Sequence, residues 1–211
     1  MLRGPVKLTG PLIVSEGGGY MDLLLKCARV FKHLLGYQYH FVLGRKDVKR
    51  EILLGFNETD FHHLVGIHKL RDLQIARGNR KKVFNDILSG LITYQTIQKS
   101  SYADECISRL STFQYIEEFL DSNQLIFKYN SKIQPGSLIE GEFLMKLGVE
   151  MKVMVSFLFV DKEETNYFCR SFFPMDKVDY SKRQMQYTLL KKEKINLLSG
   201  EIELQYERNM I

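Results

Sequence analysis

At 211 residues, with 45% hydrophobic and 26% charged side chains and a net charge of +5, the chain reads as one globular domain whose mild basicity suits a polyanionic partner. Cys27, Cys106 and Cys169 are far apart and form no CxxC pair, which argues against a disulfide framework or zinc knuckle and for a reduced, cytoplasmic setting. No apolar run approaches the roughly 20 residues of a membrane span, so no membrane partner is expected.

Met1 to Tyr20 mixes prolines and glycines with no helical or strand period. It is expected to be a poorly ordered leader or a non-native extension. Glu16-Gly17-Gly18 can be encoded by a purine-rich ribosome-binding sequence, which makes Met21 the expected biological start. An amphipathic helix follows from Met21 to Gly36, with Leu24, Leu25, Ala28, Phe31 and Leu35 on one stripe. Tyr37 to Leu43 and Val48 to Phe56 read as strands around the turn Gly44-Arg45-Lys46-Asp47. Helical signals then run as far as Ser122. They open near Asp60 and continue over Lys81 to Leu88, Thr93 to Gln98 and a long stretch from Tyr102 to Leu120. Beyond Ser122 the period is strand-like. Candidates are Leu125 to Tyr129, Leu138 to Leu147, Met151 to Val160, Asn166 to Phe173, Gln186 to Ile195 and Glu201 to Tyr206. Met151 to Val160 is apolar on both faces, as a central strand should be. The order predicts an α+β domain over 21–211, with N-terminal helices packed on a C-terminal antiparallel β-sheet meander.

The segment Phe61 to Asp72, FHHLVGIHKLRD, holds three of the chain's five histidines beside a lysine, an arginine and an aspartate. His62, His63 and His68 lack the i, i+4 spacing of a helical metal site, and no HExxH occurs, so neither metal nor cofactor is expected. Acid–base work fits better. In one helix over Asp60 to Leu73, His68 would share the apolar side with Phe61, Leu64 and Val65, and Asp72 would orient its ring. If Gly66 breaks that helix, His63 and His68 both approach one pocket. A core histidine salt-bridged to Asp72 is the structural alternative. The cations Lys69, Arg71, Arg77, Arg80, Lys81 and Lys82 read equally as a solvated face or an RNA-facing patch. In YFCRSFF (Tyr167 to Phe173), alternation puts Arg170 on one face with Phe168 and Phe172. That placement is costly unless the guanidinium is paired or lies at a ligand cleft.

The blocks YHFVLGRK (Tyr39 to Lys46), FHHLVGIHKLRD, RGNRKKVFNDILSG (Arg77 to Gly90), YFCRSFF and YTLLKKEKI (Tyr187 to Ile195) together resemble a phage-associated branch of the Barnase–EndoU–colicin–RelE-like nucleases. The resemblance covers most of Met21 to Tyr206 and none of Met1 to Tyr20. It implies a Barnase/EndoU-like fold and a metal-independent endoribonuclease in which the RNA 2′-hydroxyl attacks the adjacent phosphate to leave a 2′,3′-cyclic phosphate. Carried onto the matching blocks, it implies His63 and His68 as base and acid in undecided order, with Lys69 and Arg170 stabilising the phosphate. It further implies His62, Ser171, Thr188 and Lys191 as substrate-binding residues. RNA is then the implied partner, with an immunity or antitoxin protein beside it, in a toxin or phage-conflict role. A non-catalytic RNA- or protein-binding module on the same scaffold is the alternative.

Overall fold

The computed structural model describes residues 13–14, 20–134, 136–149, 154–176 and 178–209. Of the expected leader, β1 (Ile13–Val14) pairs antiparallel with β2 (Tyr20–Met21); the rest of Met1 to Tyr20 lies outside the described residues. Helix α1 (Leu23–Leu34) begins where the Asp22 carboxylate accepts from the Leu25 backbone N–H at 3.0 Å, satisfying a donor the first turn leaves open. The second Asp22 oxygen accepts from the Tyr94 N–H at 2.7 Å, which ties α1 to a later helix.

The hairpin β3 (Tyr37–Arg45) and β4 (Val48–Leu54) follows, then a run of short helices. These are α2 (Asp60–Leu64), α3 (Arg80–Leu88), α4 (Tyr94–Gln98), α5 (Ala103–Phe113) and α6 (Ile116–Asp121). The long helix expected over Tyr102 to Leu120 is therefore interrupted at Gln114 and Tyr115. Strands β5 (Leu125–Lys128), β6 (Phe143–Val149), β7 (Met154–Glu163), β8 (Asn166–Pro174), β9 (Met185–Asn196) and β10 (Ile202–Glu207) complete the described chain.

The strands do not form a meander with helices laid on it. Their order is β10-β9-β3-β4-β8-β7-β6-β5, and β5 pairs back onto β9, so seven strands close into a mixed barrel with β10 as an extra strand. This corrects the expected fold class. The antiparallel run β5 to β8 is one wall, and the early β3–β4 hairpin is inserted between β9 and β8 to make the other. Strand β9 permits closure because it is long enough to pair along both edges. Met185, Gln186 and Tyr187 meet β5, Thr188 to Asn196 meet β3, and Lys191 to Ile195 meet β10. The β4–β8 junction is parallel and short, with Leu54 opposite Tyr167 and the Gly55 N–H donating to the Tyr167 carbonyl at 3.0 Å.

One sheet face, including Tyr39, Phe41, Leu54, Leu158, Val160 and Phe172, joins the helices in the main core. At its centre Phe31 of α1 packs against Phe56, Phe61, Phe84 and Phe113 with ring centroids 5.6–6.0 Å apart; each such pair adds about 0.5–1.5 kcal/mol beyond area burial. The opposite face of β6 and β7 supplies Leu144, Phe157 and Phe159 to a second cluster with Phe127 and Tyr129, flanked by Ile139, Phe173 and Tyr180. The two-faced apolar pattern of β7 follows from this; positions 151–153 lie outside the described residues. Fully buried Lys192 on β9 donates to the carbonyls of Leu120, Asp121 and Ser122 at 3.0, 2.7 and 2.6 Å. It thereby pins the carbonyl end of α6 to the barrel. Among the described residues no helix is long and apolar enough to cross a membrane.

Candidate active site

Helix α2 stops at Leu64, and Gly66 takes φ 85°, a left-handed conformation that favours glycine. The chain then turns through a short 3-10 segment, Ile67–Lys69. The single helix over Asp60 to Leu73 is therefore not formed, and the Gly66 break brings two histidines together. The His63 and His68 rings stack with centroids 4.1 Å apart and planes 14° from parallel. Asp72 does not orient His68. Its carboxylate accepts from Ser100 Oγ at 2.5 Å and from the Ser101 N–H and Oγ at 2.8 and 2.9 Å; these bonds hold it down at about 2.

The stacked pair borders a cleft of about 670 Å³ together with Lys69, Arg109, Ser171 and Tyr180, with Asp104, Glu105 and Asp176 also along it. Burial lowers His63 to about 4 and His68 to about 3, with Arg109 adding to both and His63 adding to His68. Both rings are thus neutral near pH 7. His68 Nδ1 is buried without a hydrogen-bond partner among the described residues, which leaves its other nitrogen for proton transfer. Lys69 is paired with Glu105.

Arg109 reaches the cleft from α5. Its Nε donates to the Phe172 carbonyl at 2.9 Å, and its guanidinium carbon lies 6.0 Å from the Phe173 ring centroid. Nη1 is buried with no acceptor, and no carboxylate pairs with the group among the described residues. Among the described residues this half-buried guanidinium has one side-chain hydrogen bond and no ion pair, with Glu105 acting on it only at a distance, which is an unusual expense for a fold.

Of the residues singled out in the sequence, His63, His68, Lys69 and Ser171 meet in this cleft. His62 points elsewhere: it is 2% exposed, and its Nε2 donates to the Ile75 carbonyl at 2.9 Å. Arg170 also lies outside the cleft lining. The β7–β8 register passes from Phe159↔Ser171 to Val160↔Cys169, so Arg170 is the extra residue of a β-bulge. The bulge breaks the expected alternation. Cys169 and Phe172 both enter the main core, while Ser171 turns to the cleft. Arg170 instead pairs with Glu140 at 2.7 Å and is 42% exposed. Thr188 borders a separate groove with Arg45, Lys46 and Arg208, and Lys191 pairs with Glu193 at 2.6 Å.

Arg109 and Tyr180 were not among the sequence candidates. Arg109 did leave a signal, since Cys106, Arg109, Leu110 and Phe113 share helical spacing, which puts a cation on the core stripe of α5. Tyr180 sits in irregular chain and left none. Among the described residues no group of three or more His, Cys, Asp or Glu could hold a metal ion. A neutral imidazole pair beside a guanidinium and the hydroxyls of Ser108, Ser171 and Tyr180 is equipped to move protons on an anionic substrate.

No curated protein and no solved structure matches the chain. Residues 23–209, which span both barrel walls and every element that lines the cleft, match the family described as phage-Barnase-EndoU-ColicinE5/D-RelE like nuclease 4. The chain belongs to this nuclease family.

Proposed function

We propose that the protein is a metal-independent endoribonuclease with His63 and His68 as its acid–base pair. The observation that carries this reading is the stack of the two rings, 4.1 Å apart, on the wall of a cleft that also holds Arg109. One imidazole takes the proton of the RNA 2′-hydroxyl as that oxygen attacks phosphorus. The bond from phosphorus to the 5′-oxygen breaks, and the other imidazole, in its protonated form, supplies the proton that the departing oxygen needs. Ser171 and Lys69, which line the same cleft, would contact that phosphate. Such an activity in the cytoplasm fits a toxin or phage-conflict effector held in check by an immunity or antitoxin protein over the cleft.

The test is incubation of labelled RNA with purified protein in EDTA, followed by analysis of the ends. The expected products carry 2′,3′-cyclic phosphates, and His63→Ala and His68→Ala each lower the rate by about 10²–10⁴. Cleavage untouched by either substitution removes the pair from the mechanism. One observation favours the second reading, a non-catalytic RNA- or protein-binding module. Neither ring carries a charge near pH 7 in the free protein, so the acid is not yet armed. Retained RNA binding without cleavage under any condition selects the module.

A further inference from the structure

We infer that Arg109 anchors one phosphodiester of the bound nucleic acid, and that the anchored anion loads a proton onto the His63–His68 stack. The inference rests on the nuclease reading and supplies the acid which that reading lacks.

Geometry comes first. Arg109 Nε is committed to the Phe172 carbonyl, and Nη1 is buried beneath Gly66 with no acceptor among the described residues, so these two nitrogens fix the group's orientation rather than meet a ligand. The guanidinium lines the cleft, yet no carboxylate pairs with it among the described residues. Glu105, on the same helix, acts on Arg109 at a distance, but its ion pair is with Lys69. The fold thus holds a desolvated cation in a fixed orientation and leaves its counter-charge to come from the cleft. A phosphodiester suits the guanidinium's cleft side better than a carboxylate metabolite, because Phe173 and Tyr180 form an aromatic edge of the same cleft, with ring centroids 5.5 Å apart. Bases stack on such an edge without regard to sequence.

The charge argument follows. Groups acting on the histidines come from every neighbouring element: His62 on α2, Lys69 on the 3-10 turn, Arg80 on α3, Arg109 on α5 and Arg170 on β8. Asp104, Glu105 and Asp176 line the cleft as well, but Arg109 is the leading charge on His63 and stands just behind His63 itself for His68. An anion hydrogen-bonded to Arg109 offsets that field at both rings and adds its own attraction for an imidazolium, acting against the burial that is the larger cause of their depression. One ring then takes a proton from solvent, while its stacked neighbour stays neutral because two charges at that separation repel. The result is one acid and one base, formed only when substrate is present.

The experiment uses the full chain and a single-stranded 2′-deoxy oligonucleotide, which binds like RNA but lacks the attacking hydroxyl. Calorimetric titration near about pH 6, where an imidazole is poised, is run in two buffers of different protonation enthalpy. The expected result is net proton uptake on binding. Arg109→Gln binds at least about tenfold more weakly and loses the uptake, and Arg109→Lys recovers part of the affinity. Ring NMR of the unsubstituted protein is the readout that survives if an Arg109 variant does not fold. On adding oligonucleotide the titration of His63 or His68 should move upward, while that of His62, locked to Ile75, stays put. Unchanged affinity in folded Arg109→Gln, or oligonucleotide binding with neither proton uptake nor a moved ring titration, overturns the inference. Arg109-dependent binding with uptake but no RNA cleavage refutes the nuclease reading alone. RNA cleavage indifferent to Arg109→Gln refutes the anchor alone.

Discussion

A β-carbon on residue 66 would stand 2.6 Å from Arg109 Nη1. Glycine at this point therefore meets two demands, the left-handed turn that stacks the histidines and the seat of the guanidinium. Gly66→Ala should cost about 1–2 kcal/mol for the backbone conformation. It should also push the flexible end of Arg109 out of place. The expected outcome is a modest fall in melting temperature with a disproportionate loss of RNA cleavage per folded molecule. Equal losses in both would show that the turn matters and the seat does not.

The histidine pair sets an acid limit on the fold. His63 and His68 titrate at about 4 and about 3 when folded, against about 6.5 in the unfolded chain. The unfolded state therefore binds protons first as pH falls. Their contribution is intact above about pH 6.5 and is lost progressively down to about pH 3. Chemical denaturation across that window should show a slope that His63→Asn with His68→Asn flattens.

Asp60 gives the opposite sign. It lies in the first turn of α2, where its carboxylate accepts from the Asn57 N–H at 2.9 Å. Burial still raises it to about 6, despite that bond and the charge of Arg80. Because the folded value exceeds an unfolded value near about 3.9, stability is lost as pH climbs from about 4 to about 6. Asp60→Asn keeps an acceptor for Asn57 and removes the buried charge. It should stabilise the protein at neutral pH by about 1–2 kcal/mol, with the gain disappearing below about pH 4. A gain that is the same at both pH values would mean that the carboxylate is not the cause.

Neighbouring lysines on β9 should behave differently. Lys192→Met strips the carbonyls of Leu120, Asp121 and Ser122 of their shared donor and should cost about 2–4 kcal/mol. Lys191→Met removes only a pairing with Glu193 at the sheet surface and should stay within about 0.5 kcal/mol. Urea titrations of the two variants side by side decide the point.

Most elements were legible because helical and strand periods are local properties. The strands from β3 to β10 fall within a few residues of the stretches whose apolar positions alternate, while the long helix split and the Asp60 to Leu73 stretch broke at Gly66. Pairing is not local. Nothing in the period of Met185 to Asn196 says that one strand will serve three partners, so the closed barrel was invisible and a meander looked sufficient. The site divided in the same way. Gly66 announced a break, and with it the approach of His63 to His68. The bulge at Arg170 could not be read, because one unpaired residue leaves composition unchanged while reversing which side chains face the cleft. Arg109 was passed over for a different reason. Inside an apolar stripe, a lone cation looks like a surface residue until the opposing wall is known.

The parallel contact of Leu54 with Tyr167 makes the barrel a clasped ring, since β4 and β8 share little main-chain lacing there. The chain leaving one side of that clasp goes directly into the helix bearing His63 and the turn bearing His68. The strand on the other side carries Ser171 and the carbonyl that holds Arg109. The two halves of the cleft therefore hang from opposite jaws of the same fastening. Whatever loosens the fastening draws the imidazoles away from the guanidinium's mooring, which ties chemical competence to the integrity of the ring.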